Sequence, residues 1–260
     1  MRSRISWEHS LKDRARGFEE AICLDGRRLD HAVSTDPLHF AANVEVDGGA
    51  LLSVMKKAAE EGEIWEWRAF GNPDAPTLEF IRSRPIRMAV KDLAGEDLYL
   101  ISPVSDQNVK LRRWNGEWVL KFKLLLTTTT RGVELYGETA GWVYQFPVER
   151  QLLVQAGRLL GIKLADFGES PTALSANDFI AALSQGTPPA ISVRVAKVRT
   201  QFEVDGGWLE LTEVSFPSRT TNSLSIHSTD LRVVERTLDQ IGSLENLEVM
   251  NYVEACRRWR

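Results

Sequence analysis

Lys110, Arg112, Lys121 and Lys123 stand at alternate positions on either side of an Asn115-Gly116 dipeptide. Asn-Gly between alternating runs is the signature of a two-residue β-hairpin loop, which sets Trp114 opposite Glu117 and Lys110 opposite Lys121. The four cations then share one face of the hairpin, and Val109, Leu111, Leu120 and Phe122 share the other. Like charges directly opposite each other destabilise a sheet by roughly 0.2–1 kcal/mol per pair, so carboxylates or an anionic ligand must offset them. Further along, Lys197 and Arg199 alternate in the same way ahead of Val204-Asp205-Gly206-Gly207 and Trp208. A two-residue Asp-Gly turn pairs them with Val214 and Thr212 and puts Glu210 on their face. A three-residue turn puts Arg199 opposite Glu213 instead, because a one-residue shift exchanges the faces of a strand.

With Glu66, Arg68, Arg131 and Glu134 added, these residue types are those of phosphate chemistry. Lys neutralises a polyanion, and Arg can bind phosphate oxygens through two parallel hydrogen bonds. Arg68, Lys110, Arg112, Lys121, Lys123, Arg131, Lys197 and Arg199 are the candidate phosphate-binding residues. Glu66, Glu134 and Glu210 or Glu213 are candidate ligands for Mg²⁺ or Mn²⁺, which take oxygen donors and bridge to phosphates. Catalysis in such a site is chiefly charge stabilisation and positioning, and Glu66 and Lys121 are the candidate catalytic residues. The same alternation also describes the solvent side of a half-buried antiparallel sheet, so the direction in which these faces point decides the matter.

The rest of the chain bounds the possibilities. Its 260 residues suffice for a sizeable core, and 43% hydrophobic with 26% charged residues is ordinary for a globular protein. A net charge of −4 argues against a duplex nucleic acid as partner, so an anion site must be a local cluster. Cys23 and Cys256 have no CxxC spacing, which points to a reducing compartment without zinc or a disulfide framework. The N-terminus lacks the apolar run of a signal peptide, and no stretch is long enough for a membrane helix; a cytoplasmic protein without a membrane partner is expected. There is no GxxxxGK[ST] and no GxGxxG. His9, His31, His39 and His227 lack metal-ligand spacing, and no Ser/His/Asp set can be assembled from the sequence.

Residues 1–36 read as an N-terminal arm or helical extension, with residues 30–37 as its linker, and residues 37–260 as the main domain. A helix is expected at 50–60 and an aromatic-rich strand at 64–70, ended by Gly71-Asn72-Pro73. Strand-like runs follow at 86–90, 97–101, 107–114, 117–125, 132–136 and 142–146, with Thr127–Thr130 as a loop. Helices are expected at 149–161 with Gly161 at the C-terminus, from Ser175 or Asn177 to about 184, at 229–241 and at 247–259. Strands at 192–203, 208–216 and 223–228 complete the pattern. Trp65 and Trp67 read as packing residues. Hairpins dominate, with helices between, which favours an α+β antiparallel sheet or barrel with helices outside.

The order of these pieces over residues 60–260 resembles the CYTH superfamily, the triphosphate tunnel metalloenzymes. Trp65-Glu66-Trp67-Arg68 stands where that family has its early ExExK strand, with Ile64 in place of the first glutamate and Arg68 in place of the lysine. Glu96-Asp97 and Tyr99 are similar to its tyrosine-bearing strand, Leu111-Arg112 lies in a run similar to its LRxR strand, and Lys121 corresponds to its substrate-binding lysine. Arg131-Gly132-Val133-Glu134 is similar to its RxxE element, Lys197-Val198-Arg199 to its KxR strand and Leu209–Val214 to the acidic return strand. Asn251-Tyr252 resembles its terminal tyrosine segment, whereas Ser225-Ile226-His227 replaces its late ExE. The resemblance implies an eight-stranded antiparallel β-barrel, a tunnel with helices packed outside. It implies inward cations on a triphosphate-bearing small molecule or polyphosphate, and metal-dependent hydrolysis. The missing glutamates favour as alternative a non-catalytic nucleotide or polyphosphate-binding module.

Overall fold

The computed structural model describes residues 62–88, 95–114, 116–137, 143–165 and 172–260. The expectations for the arm at 1–36, the helix at 50–60, Cys23 and the first three histidines lie outside the described residues.

Eight antiparallel strands form the barrel: β1 (Glu63–Gly71), β2 (Gly95–Ser102), β3 (Ser105–Trp114), β4 (Glu117–Thr128), β5 (Glu134–Gly137), β6 (Ile191–Val204), β7 (Gly207–Phe216) and β8 (Arg219–Ser228). Around the ring their order is β1-β5-β4-β3-β2-β6-β7-β8, and β8 pairs with β1 to close it. Closure leaves no free edge in the ring. The short strands Ile86–Met88, Val143–Gln145 and Leu247–Val249 pair with β6, β4 and β1. Five helices pack outside the strands: α1 (Ala75–Arg82), α2 (Arg150–Leu159), α3 (Ala176–Ser184), α4 (Leu231–Ile241) and α5 (Tyr252–Trp259).

The hairpin registers follow from turn chemistry. Trp114 pairs with Glu117 and Lys110 with Lys121, with Gly116 at φ 87° in the turn. In the second hairpin Val204 pairs with Gly207, Lys197 with Val214 and Arg199 with Thr212. Asp205 and Gly206 are therefore a two-residue loop, and Gly206 takes φ 82°, which a side chain would strain. Gly207 is held to glycine by packing, since a Cβ there would lie 2.3 Å from the carbonyl oxygen of His227.

Apolar residues of the strands face outward beneath helices. Leu98, Leu111, Leu120 and Phe122 pack with Leu153 of α2 and Phe179 of α3. Trp67, Leu209, Leu224 and Ile226 pack with Ile81 of α1 and Val234 and Leu238 of α4. Trp65 and Trp67 are packing residues, as expected. A third apolar cluster lies on the inward side. Phe70, Tyr99, Val195, Val214 and Phe216 meet Tyr252, Cys256 and Trp259 of α5. Arg257 of α5 donates to the carbonyls of Ser102 and Ser105, and the Ser218 backbone N–H bonds the Trp259 carbonyl at 3.2 Å. α5 thus lies across the barrel end that carries the β2–β3 and β7–β8 turns.

Some local expectations are corrected. Residues 247–249 form a strand, and α5 begins only after Asn251, whose side chain caps it through Glu254 N–H at 3.0 Å. α1 is an unexpected helix, just after the strand-ending Gly71-Asn72-Pro73: Asp74 caps it and Pro76 sits in its first turn, where no donor is missed. β4 continues through Thr128, so half of the threonine run is strand. α3 starts after Ser175, in a capping box with Asp178.

Candidate functional site

The inward face of the barrel is charged. Strand alternation sends Glu66 and Arg68 of β1, Asp97 and Tyr99 of β2, Lys110 and Arg112 of β3, and Lys121 and Lys123 of β4 inward. Glu134 and Tyr136 of β5, Lys197 and Arg199 of β6, Glu210 and Thr212 of β7, and Ser225 and His227 of β8 join them. Most are nearly closed to solvent: Glu66 is 4% exposed, Asp97 1%, Lys110 7%, Lys197 3% and Glu210 8%. The two-residue turn settles the choice between glutamates, with Glu210 inside and Glu213 exposed on the outer face. Arg131 is also outside. Its guanidinium pairs with Asp239 of α4 at 2.9 Å on the surface, because Gly132 turns the chain there, at φ 75°, just ahead of the barrel strand.

Asp97 is the hub that sequence reading missed. Its carboxylate takes Lys197 Nζ at 2.8 Å, Arg112 Nε at 2.9 Å and Lys110 Nζ at 3.3 Å, with Arg199 at 3.7 Å. Burial by itself raises this carboxyl's pKa; Lys110, Lys197 and Arg112 outweigh it and hold Asp97 well below the usual range. Burial dominates at the lysines. Lys110 is brought down to about 7 despite Asp97, with Arg112, Lys121 and Lys123 adding to the depression. Lys197 is lowered in the same way, by burial first. The signal for Asp97 was its place in the alternation Asp97-Tyr99-Ile101, on the strand beside Lys110 and Arg112.

A second cluster surrounds Glu66. Arg68 Nε donates to Oε1 at 2.8 Å, and Lys123 pairs with Oε2. Against burial, Lys123, Arg68 and His227 keep Glu66 well below its ordinary value. Glu210 accepts from Gln201 at 3.0 Å and Thr212 at 3.2 Å, and lies 3.8 Å from both Arg68 and Arg199. Burial raises its pKa, but the two arginines carry it down to about 2. Glu134 differs. Burial raises its pKa against hydrogen bonds from Tyr136 and Asn251, both at 2.7 Å. His227 stacks on Trp208 with centroids 4.8 Å apart and planes at 5°; burial lowers its pKa to about 4, so it is neutral at pH 7.

Charge burial on this scale is costly. An effective penalty of several kcal/mol per ion is only roughly repaid by pairing, and an apolar interior is often as stable. An interior of this kind therefore points to function. The fold is a closed eight-stranded antiparallel barrel with helices packed outside, of the α+β class.

No family model matches the chain, and no curated protein sequence matches it. Among solved structures it is similar to a conserved hypothetical protein from Pyrococcus furiosus, at 15% identity and TM-score 0.42 over 74% of this chain and 98% of that one. It is similar to a Pyrococcus horikoshii protein at 15% identity and TM-score 0.41, over 73% and 98%. It is also similar to a Hippeastrum protein reported to have a dominant triphosphatase activity, at 15% identity and TM-score 0.41, over 75% and 95%.

The donor set of the tunnel does not fit a divalent ion. Among the described residues no three acidic, histidine or cysteine side chains converge on one point. The oxygens of Glu66 face Arg68 and Lys123, those of Glu210 face Arg68, Arg199, Thr212 and Gln201, and those of Glu134 face Tyr136 and Asn251. Cations beside a carboxylate compete directly with a metal for it. No helix among the described residues is long and apolar enough to cross a membrane.

Proposed function

We propose that the tunnel binds a triphosphate-bearing small molecule or a short polyphosphate, and that it does so without Mg²⁺ or Mn²⁺. The observation that carries this reading is the charge balance of the wall. Arg68, Lys110, Arg112, Lys121, Lys123, Lys197 and Arg199 outnumber Glu66, Asp97, Glu134 and Glu210. An elongated anion between opposite strands relieves the Lys110–Lys121 opposition and gives the arginines bidentate partners. Tyr252 adds a donor at the closed end. Its hydroxyl has no hydrogen-bond partner among the described residues, and its ring lies 3.5 Å from Lys197 Nζ and 4.6 Å from the Arg68 guanidinium carbon. The carboxylates act as counter-ions that hold the cations apart in the empty protein.

Titration calorimetry with tripolyphosphate tests this. Saturable binding is expected in the presence of a chelator, weakened by Lys110→Met and by Arg112→Met. Absence of binding with the chelator and its appearance on adding Mg²⁺ would restore a metal to the site, and no binding under either condition would remove the reading.

A further inference from the structure

We infer that Ser225, His227 and Glu66 form a nucleophile–base–carboxylate relay that accepts a terminal phosphoryl group on Ser225 without a metal ion. This rests on the tunnel binding a phosphate chain. Ser225 and His227 are two residues apart on β8, so both side chains face inward. The register places Ser225 beside Arg68 and Glu210, and His227 beside Glu66 and Trp208.

The geometry is that of an activated hydroxyl. Ser225 Oγ lies 2.9 Å from His227 Nε2. The other ring nitrogen, Nδ1, lies 3.5 Å from Glu66 Oε2. Trp208, stacked face to face on the imidazole, fixes its plane. A nucleophile in hydrogen-bond reach of a base that is itself oriented by a third group is the arrangement that activates serine. With Nδ1–H directed at Glu66, Nε2 is the acceptor for the serine proton. Arg68, 2.8 Å from Ser223 Oγ and 3.8 Å from Glu210 Oε1, lies next to Ser225 in register, where charge develops on the transferring group. Ser225 is fully buried, beside Arg68 in register.

The step balances with tripolyphosphate. Ser225 Oγ attacks the terminal phosphorus, the Oγ–P bond forms and the bridging P–O bond breaks. His227 takes the serine proton and passes it to the departing pyrophosphate. Water then attacks the phosphoserine. His227 takes the water proton, orthophosphate leaves, and the proton returns to Ser225 Oγ. The sum is tripolyphosphate and water to pyrophosphate and phosphate. Ser225 is the catalytic nucleophile and His227 the base; Glu66 is a positioning residue.

The test uses the full chain with tripolyphosphate and a chelator, acid-quenched at intervals for peptide mass spectrometry and phosphate release. Expected are a phosphoryl group on Ser225, or phosphate release that Ser225→Ala abolishes while tripolyphosphate affinity persists. His227→Asn should slow the reaction by about 10²–10⁴-fold, and Glu66→Gln should slow it without weakening binding. Retained binding with neither adduct nor release overturns the relay and leaves the binding function standing. Release undiminished in Ser225→Ala overturns the relay alone. Absence of binding overturns both.

Discussion

In the β3–β4 hairpin, Lys110 faces Lys121, Arg112 and Lys123 share that face, and the acidic residue of the same parity, Glu117, is exposed beside the turn. In the β6–β7 hairpin, Lys197 and Arg199 face Val214 and Thr212, and Glu210 shares their side of the sheet. Both hairpins turn on a glycine at positive φ and alternate by the same rule. The first is neutralised from outside itself, by Asp97 on β2 and Glu66 on β1. The second carries a counter-ion of its own, yet its Lys197 also reaches Asp97. β2 lies between β3 and β6 in the ring, so a single buried carboxylate serves both hairpins. Charge compensation here belongs to the closed barrel, and the hairpin is only its unit.

That comparison can be broken in several ways. The largest effect is expected from Asp97→Ala, which strands Lys110, Lys197 and Arg112 together; removing one partner of a buried network costs about 3–5 kcal/mol, read from urea unfolding. Glu210→Ala should cost clearly less, and equal losses would mean that the hairpins are not compensated differently. Next in size is the outer face. Leu111→Ala, beneath α2 and α3, should lose about 2–5 kcal/mol, whereas Val198→Ala on the second hairpin, 41% exposed, should stay within about 0.5 kcal/mol.

The pH dependence of Lys110 should follow, with opposite signs for stability and binding. Its pKa in the folded protein is about 7, against 10.5 ordinarily. Between those values the unfolded chain holds the extra proton, so stability of the empty protein contributed by Lys110 rises with pH across the window. Lys197 acts in the same direction. A phosphate prefers the charged lysine, so affinity falls as pH rises through about 7. Thermal melts and calorimetry from pH 6 to 9 measure the two trends, and Lys110→Met should flatten both. Lys121→Ala should weaken tripolyphosphate about tenfold or more, as expected for loss of a charge-assisted hydrogen bond.

Much of the fold was legible because it is written in short-range periodicity. Alternation and two glycine turns predicted the hairpins, and their registers matched once the two-residue loop was chosen. Residues 247–249 were read as helix because three residues carry too little pattern to oppose the helical run that follows. Arg131 is expected in the site as the first residue of the run similar to an RxxE element. Position 131 is in a turn, where strand parity no longer applies, and it points to Asp239 instead. Asp97 was passed over because its partners at 110, 112 and 197 are remote in sequence, and nothing local marks a carboxylate as a hub.

By itself, then, the sequence determined which residues alternate, which faces are cationic and where the chain turns, since these depend on neighbours two to four positions apart. Only the closed barrel decided that the cationic faces look inward, that Glu210 and not Glu213 accompanies them, and that Asp97 binds cations from two hairpins. It also brought Ser225, His227 and Glu66 into one relay, although no Ser/His/acid spacing announced it. The physical reason is closure: joining β8 to β1 puts positions 66 and 227 side by side, and burial then makes each charge answer to whichever partner the ring sets next to it.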